Sequence, residues 1–302
     1  MPSETDIAPD TLTSWVNLLD GFLEAVTRRT DGGWSPVFAS QAEREVRETA
    51  KLLRVDGSGD SWGRDPACTV YAATEMLAHT IIDHVRSLRS LMVTGVPAST
   101  SVDALARGAL EAASTIWWLT DRAITARTRV ARLYVVRRES AMEFERVAAA
   151  MQVPPSGGYG QSIVDLDSHY RDTLGLAEMK TKKKDDWAGS EGQRPLGYTK
   201  KVNNYLRAMG HPSTTGVYNF LSASAHAQLW RLQYGYADMV GPDGSTRLYQ
   251  YFPQSFLRVG IGIAAESLAH SIRLSFEILG RHTSIRDIWQ YAMPINRAFA
   301  IP

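Results

Sequence analysis

The chain has 302 residues, of which 44% are hydrophobic, and its net charge at pH 7 is +1. Such a length and apolar content are typical of a soluble globular chain that can bury a large core, and the near-zero charge excludes a strong overall field that would draw it to nucleic acid or to a membrane. The single cysteine, Cys68, excludes an intrachain disulfide framework and favours a reducing compartment. Since no apolar run approaches the roughly 20 residues that span a bilayer, and no N-terminal signal sequence is evident, we expect a cytoplasmic protein without a membrane partner.

Apolar residues recur at three- and four-residue spacing through most of the chain, which predicts helices. The predicted helices cover 11–29, 40–55, 67–94, 102–121, 123–151, 161–176, 199–209, 214–231, 255–279 and 285–292. The turn sequence GPDG at 241–244 lies between two short segments and predicts a hairpin at about 233–251. We therefore predict an all-α fold, a bundle of long antiparallel helices with one small peripheral β-hairpin, forming a single domain over 1–302.

The helix predicted at 102–121 organises the rest of the chain. Its apolar residues cover more than one face, which indicates contacts on several sides, and small residues such as Ala106 and Gly108 let a neighbouring helix come close. Arg107 and Glu111 are four positions apart and therefore share a face. Three interpretations of this pair remain open: a buried structural ion pair, a functional pair, or a surface pair.

Two further segments are rich in charge. The helix at 123–151 carries arginines at 127, 129, 132, 137, 138 and 146, interleaved with glutamates at 139, 143 and 145. Such a mixed stripe is typical of a solvated helix face, and the alternative is a surface that binds a row of phosphates. The segment 180–197 contains four lysines and several glycines, which predicts an exposed, mobile loop.

The first set of residues that could carry chemistry combines two helices. Ser222 and His226 are four apart on the helix predicted at 214–231, on the same side as Tyr218. If this face packs on Arg107 and Glu111, the five side chains converge. Glu111 would then orient His226 as a general base, Ser222 would belong to the catalytic group, and Arg107 with Tyr218 would bind an anion. The alternative is a core histidine that satisfies a buried carboxylate.

Three stretches carry a resemblance to a known family. HTIIDHVRSL (79–88), LARGALEAASTIWWL (105–119) and YNFLSASAH (218–226) together resemble uncharacterised bacterial helical proteins related to the HEPN-like superfamily. The resemblance covers about 67–231, leaves 232–302 as a C-terminal hairpin and helices, and implies a helical fold. Active HEPN nucleases carry an arginine several residues before a polar position and a histidine on a late helix. Arg207 and His211 depart from that pattern because they are too close together and end in a Gly-His-Pro turn.

A second set of residues comes from two similar stretches. ATEMLAHTI (73–81) and AAESLAHSI (264–272) each place a glutamate four positions before a histidine, as Glu75/His79 and Glu266/His270. Two such helices facing each other would supply two carboxylates and two imidazoles, which are ligands for non-haem iron or manganese. The alternative is a chance repeat of ordinary helix-surface pairs.

These observations leave three functional interpretations. The first is a HEPN-like helical protein that binds or processes an anionic ligand, RNA or a nucleotide first, without a cofactor. The second is a metal-dependent helical-bundle enzyme that uses the two Glu–His pairs. The third is a non-catalytic interaction protein, and a homodimer is compatible with each of them.

Overall fold

The computed structural model describes residues 9–31, 33–94, 99–152, 163–181, 187–211, 214–226, 236–240, 246–250 and 254–299. Within these ranges the chain forms ten α-helices and two small antiparallel hairpins. The predicted all-α fold and the hairpin within 233–251 are therefore confirmed. None of the helices in the described part combines the length and the apolar character that crossing a membrane requires.

The helices follow one another in the order α1 (Pro9–Thr30), α2 (Gln41–Thr49), α3 (Asp65–Val93), α4 (Ser99–Leu119), α5 (Ala126–Ala150), α6 (Ile163–Asp167), α7 (Tyr198–Ala208), α8 (Thr214–Ala225), α9 (Gln254–Leu279) and α10 (His282–Phe299). A π-helical turn, Ser168–Thr173, continues α6. The strands are β1 (Glu178–Lys180), β2 (Trp187–Ser190), β3 (Tyr236–Val240) and β4 (Thr246–Gln250), with β1 paired to β2 and β3 to β4.

Helix α4 is central, as its sequence predicts. It packs against α3, α5, α7, α8 and α9, and its buried residues include Ala106, Ala109, Leu110, Ala113, Ile116 and Leu119. Two glycines permit the close approach of its neighbours. A Cβ on Gly260 of α9 would lie 2.6 Å from Val102, and a Cβ on Gly108 of α4 would lie 2.6 Å from His84 of α3. A larger residue at Gly260 would push α9 away from α4, whereas one at Gly108 would have to displace the imidazole of His84.

A buried ion pair connects α2 to α5. Arg129 Nε donates to Glu45 Oε2 at 2.7 Å, and Nη2 donates to Oε1 at 3.0 Å. The two side chains are only 1% and 6% exposed. Two further donors complete the coordination of the carboxylate, since Tyr71 donates at 2.7 Å and Gln41 at 2.9 Å. Each guanidinium nitrogen and each carboxylate oxygen thus has at least one hydrogen-bond partner, which is the condition under which such a pair is tolerated.

Two arginines of α5 also satisfy the C-terminal end of α4. Arg129 donates to the carbonyls of Leu119 and Asp121, and Arg132 donates to the carbonyl of Trp118. The last carbonyls of a helix have no partner within that helix, and cations are favoured there. The prediction of a solvated face along α5 is therefore wrong for this half of the helix, whereas the segment that contains Glu143 and Arg146 is exposed.

The predicted mobile loop at 180–197 is wrong for part of the segment, and its residues 182–186 lie outside the described ranges. Residues 187–190 form β2, and Trp187 packs edge-on to Tyr134 with the guanidinium of Arg138 at 4.4 Å from its ring. Arg138 is held in turn by Asp167 at 2.9 Å. The lysines and glycines indicated a solvated segment. The packing and cation–π contact of Trp187 stabilise the attachment of β2 to α5 instead.

The last helix also extends beyond its predicted length. The sequence predicts that it ends before Pro294, yet α10 continues through this proline to Phe299. Ile288, Ala292 and Ile295 are buried at helical spacing, and the ring of Phe299 lies 5.0 Å from that of Trp15. A proline inside a helix costs about 3 kcal/mol, and burial of this apolar face against α1 and α9 offsets it.

We expect Glu45→Gln to lower the free energy of unfolding by about 3–5 kcal/mol, because Arg129 would stay buried without a carboxylate. The matched control is Glu143→Gln, which breaks the exposed pair with Arg146 and should cost less than about 1 kcal/mol. Urea unfolding of both variants is the measurement. Similar losses for the two would show that the buried pair does not hold α2, α4 and α5 together.

Candidate functional site

The predicted pair on α4 forms, and it lies neither in the core nor free on the surface. Arg107 Nε donates to Glu111 Oε1 at 2.7 Å, and the side chains are 21% and 20% exposed. Partial burial opposes the charge of Arg107, but the hydrogen bond and the charge of Glu111 outweigh it and raise the pKa of the guanidinium. The arginine is therefore held charged, with part of its surface accessible.

Helix α8 brings Tyr218 onto this pair. The Tyr218 hydroxyl donates to Glu111 Oε1 at 2.7 Å, and the Arg107 guanidinium lies 5.7 Å from the centre of its ring. Burial raises the pKa of Tyr218, and the hydrogen bond to Glu111 acts in the same direction, whereas a hydrogen bond with Ser222 opposes the shift. Tyr218 is thus a neutral donor that fixes the carboxylate, and Ser222 lies beside it.

His226 meets Arg107 rather than Glu111. It directly follows α8 and continues the last helical turn, since its N–H donates to the Ser222 carbonyl at 3.0 Å. Its Nε2 lies 3.3 Å from Arg107 Nη1, on the exposed side of the group. Because a guanidinium only donates, Nε2 is the acceptor and the imidazole proton belongs on Nδ1. The predicted contact in which Glu111 orients His226 is therefore wrong: Glu111 binds Arg107 and Tyr218, and His226 contacts Arg107. We call Arg107, Glu111, Tyr218 and His226 the α4–α8 site.

A buried lysine that was not among the predicted site residues lies close to this site. Lys201 of α7 is 4% exposed, and its Nζ donates to Thr115, one turn along α4 from Glu111, at 3.4 Å. Its Nζ also lies 5.6 Å from the ring of Trp118 and 5.0 Å from that of Tyr198. Burial lowers the pKa of Lys201, although the charges of Glu139 and Glu111 oppose the shift. Lys201 shares a helix face with apolar residues, which is the signal that could have revealed its burial.

A carboxylate of α5 joins the same region. Burial raises the pKa of Glu139, and the charge of Lys201 acts against this shift. Three helices, α4, α5 and α7, thus contribute opposite charges to this region: Arg107 and Lys201 are positive, and Glu111 and Glu139 are negative. The fixed charges balance, so a further anion at the site would face Arg107 and His226 without a net local repulsion.

The two Glu–His pairs do not form the proposed metal site. On α3, His79 is exposed and Glu75 is partly exposed, and the two are 4.0 Å apart. Glu266 and His270 are 3.9 Å apart on α9, and Glu266 is met by His211 at 3.2 Å instead of by α3. Among the described residues, no group of three or more His, Cys, Asp or Glu side chains is placed to hold a metal ion. The two similar stretches, 73–81 and 264–272, therefore lie in different surroundings and do not form one site.

The geometry at His270 explains why this second group is not a ligand set. Arg273 Nη2 lies 3.1 Å from His270 Nδ1, so Nδ1 accepts and the proton belongs on Nε2, the atom that faces Glu266. A protonated nitrogen has no lone pair for a metal. Burial and the positive charge of Arg273 lower the pKa of His270 to about 4, whereas the hydrogen bond to Glu266 raises the pKa of His211.

The contacts of Glu111 predict the order of two coupling energies. Glu111→Gln combined with Tyr218→Phe should show a coupling of about 0.5–3 kcal/mol, the range for residues in contact. Glu111→Gln combined with His226→Gln should couple less, because Arg107 stands between them. Denaturant unfolding of the two double-mutant cycles gives both energies. The reverse order would contradict the arrangement.

A pH dependence follows from His270. Its pKa is lowered from 6.5 to about 4, so between these values the unfolded chain binds a proton that the folded protein does not. The stabilisation from neutral His270 is complete above pH 6.5 and is lost as the pH falls towards 4, with a slope of at most about 1.4 kcal/mol per pH unit. In the His270→Gln variant, the free energy of unfolding should change less with pH between pH 4 and 6.5. His211→Gln is the control of opposite sign, because the pKa of His211 is raised. Protonated His211 stabilises the folded protein at low pH, and this stabilisation is lost as the pH rises through that pKa.

Comparison of the chain with protein-family models, with curated proteins and with solved structures finds no match. The resemblance of 67–231 to HEPN-like proteins is therefore still a prediction. The function is therefore inferred from the geometry of the α4–α8 site.

Proposed function

We propose that the protein binds an anionic ligand at the α4–α8 site, with RNA or a nucleotide as the first candidate. The observation that carries the proposal is the 3.3 Å separation between Arg107 Nη1 and His226 Nε2 on the exposed side of the site. A guanidinium holds phosphate oxygens through charge-assisted hydrogen bonds. A phosphate bound at Nη1 of Arg107 would replace the contact with the neutral imidazole by a stronger, charge-assisted bond and would leave His226 beside the ligand.

The surroundings of Arg107 support this role because they fix the guanidinium before a ligand arrives. Glu111 binds its Nε edge, and Tyr218 holds Glu111 while lying under the guanidinium. A side chain ordered in advance loses less conformational entropy on binding. Nη1 lies on the opposite edge from the Glu111 contact and faces His226, which makes it the edge that a phosphate would meet.

A reaction at this site would place His226 as the base. Once a phosphate has engaged Arg107, the Nε2 lone pair of His226 is free to accept a proton from a hydroxyl such as the ribose 2′-OH. Ser222, one turn earlier on α8, would contact the ligand, and Glu111 acts as a positioning residue. The predicted resemblance to HEPN-like proteins makes RNA the first substrate to test, and the single cysteine agrees with a cytoplasmic location.

Binding is tested with a labelled single-stranded RNA oligonucleotide and with ATP, by fluorescence anisotropy and calorimetry at low salt. We expect Arg107→Gln to weaken binding by about tenfold or more, because a charge-assisted contact is lost. Arg146→Gln is the matched control, since Arg146 forms an exposed pair on α5, and its affinity should equal that of the unchanged protein. Equal affinities for the two variants would refute the site.

The role of His226 is tested separately by incubating the RNA and following its length. Loss of cleavage in His226→Gln with binding retained would support processing. Cleavage that persists in this variant would contradict the assignment of His226 as the base. If neither RNA nor ATP binds, the proposal fails, and the interpretation as a non-catalytic interaction protein takes its place.

A further inference from the structure

An apolar cleft lies between α3 and α5, away from the α4–α8 site. Its volume is about 520 Å³. Buried leucines, Leu119, Leu133 and Leu166, form its floor, and the exposed side chains of Met76 and Phe144 stand at its mouth. This volume falls within the range of about 300–1,000 Å³ that is usual for small-molecule sites. The cleft is therefore large enough for a ligand and has the apolar lining of one.

The exposed residues at the mouth need an explanation. Met76 is 71% exposed and Phe144 is 40% exposed, on two different helices that face the same cleft. Single exposed apolar residues are ordinary, but a group that continues into a cleft with a buried apolar floor is typical of a binding site. The surfaces of α3 and α5 that meet here are thus suited to a hydrocarbon chain.

One charged residue lines the cleft, and it differs from the other arginines of its helix. Arg137 donates to the hydroxyl of Tyr170 at 3.3 Å, and no carboxylate among the described residues pairs with it. Each of the other arginines of α5 has a carboxylate within 3.2 Å: Glu191 for Arg127, Glu45 for Arg129, Asp121 for Arg132, Asp167 for Arg138 and Glu143 for Arg146. A half-buried guanidinium whose partner is a neutral phenol retains attraction for an anion.

We propose that this cleft binds a long-chain carboxylate, with the hydrocarbon between α3 and α5 and the carboxylate at Arg137. The apolar lining would hold the hydrocarbon tail of the ligand, and Arg137, which has no carboxylate partner among the described residues, would bind its carboxylate. Thr80 and Ser140 are further polar residues that line the cleft. The proposal is independent of the α4–α8 site, because other helix faces build the cleft.

The probe is dodecanoate, titrated by calorimetry below the concentration at which it forms micelles. We expect saturable binding of one molecule per chain, and weaker binding of dodecanol, which has the same chain without the charge. Arg137→Gln should weaken dodecanoate binding by about tenfold and leave dodecanol unchanged. Met76→Glu should weaken dodecanoate binding as well, because it places a like charge at the mouth on an exposed side chain that does not support the fold.

The matched control is again Arg146→Gln, on the same helix and away from the cleft, and its affinity for dodecanoate should be unchanged. Thermal unfolding of each variant checks that it is folded. Methyl signals of ¹³C-labelled methionine locate the ligand, and the Met76 signal should shift on titration. Absence of saturable binding, equal affinities for dodecanoate and dodecanol, or equal effects of the arginine substitutions at 137 and 146 would each overturn the proposal.

Discussion

The buried pair of Arg129 and Glu45 is the constraint on which the arrangement of the helices depends. Removing two charges from water is costly, and the cost is offset only if every donor and acceptor of the pair is satisfied. Here the partners come from α2, α3, α5 and the C-terminal end of α4. Any shift of one of these elements would leave a buried charge without a partner. The pair therefore fixes the position of α4, and with it the residues that α4 presents to α7 and α8.

The same pair of residue types recurs at Arg107 and Glu111 with a different outcome. Both guanidinium groups bind a carboxylate that a tyrosine also contacts. The remaining nitrogens of Arg129 donate to backbone carbonyls, and its side chain is buried. Arg107 instead has Nη1 next to His226, and its side chain is about one-fifth exposed. Since an unused edge of a fixed guanidinium is what an anion requires, exposure distinguishes the structural pair from the candidate site.

Helix positions could be predicted from the sequence because each helix shows its apolar face by spacing alone, as α4 and α9 do. The site could be predicted in part, because Arg107, Glu111, Tyr218 and His226 lie at helical spacing on two helices that do pack together. The burial of Glu45 against Arg129 could not be predicted. Glu45 and Arg129 are 84 positions apart, and a periodic pattern says nothing about partners at that distance. The docking of Trp187 and the passage of α10 through Pro294 likewise depend on tertiary contacts that override local preference.

The position of Lys201 also depends on tertiary packing, and it links the helix packing to the α4–α8 site. Its helix, α7, buries Val202, Tyr205 and Leu206, so the lysine beside them is carried into the interior and must find acceptors there. It meets Thr115 and two aromatic rings, with the negative charges of Glu111 and Glu139 nearby. The Lys201 ammonium is therefore placed near the carboxylate of Glu111, which binds Arg107 and keeps it in position. The packing of an apolar helix face thus determines the electrostatics of a site one helical turn away.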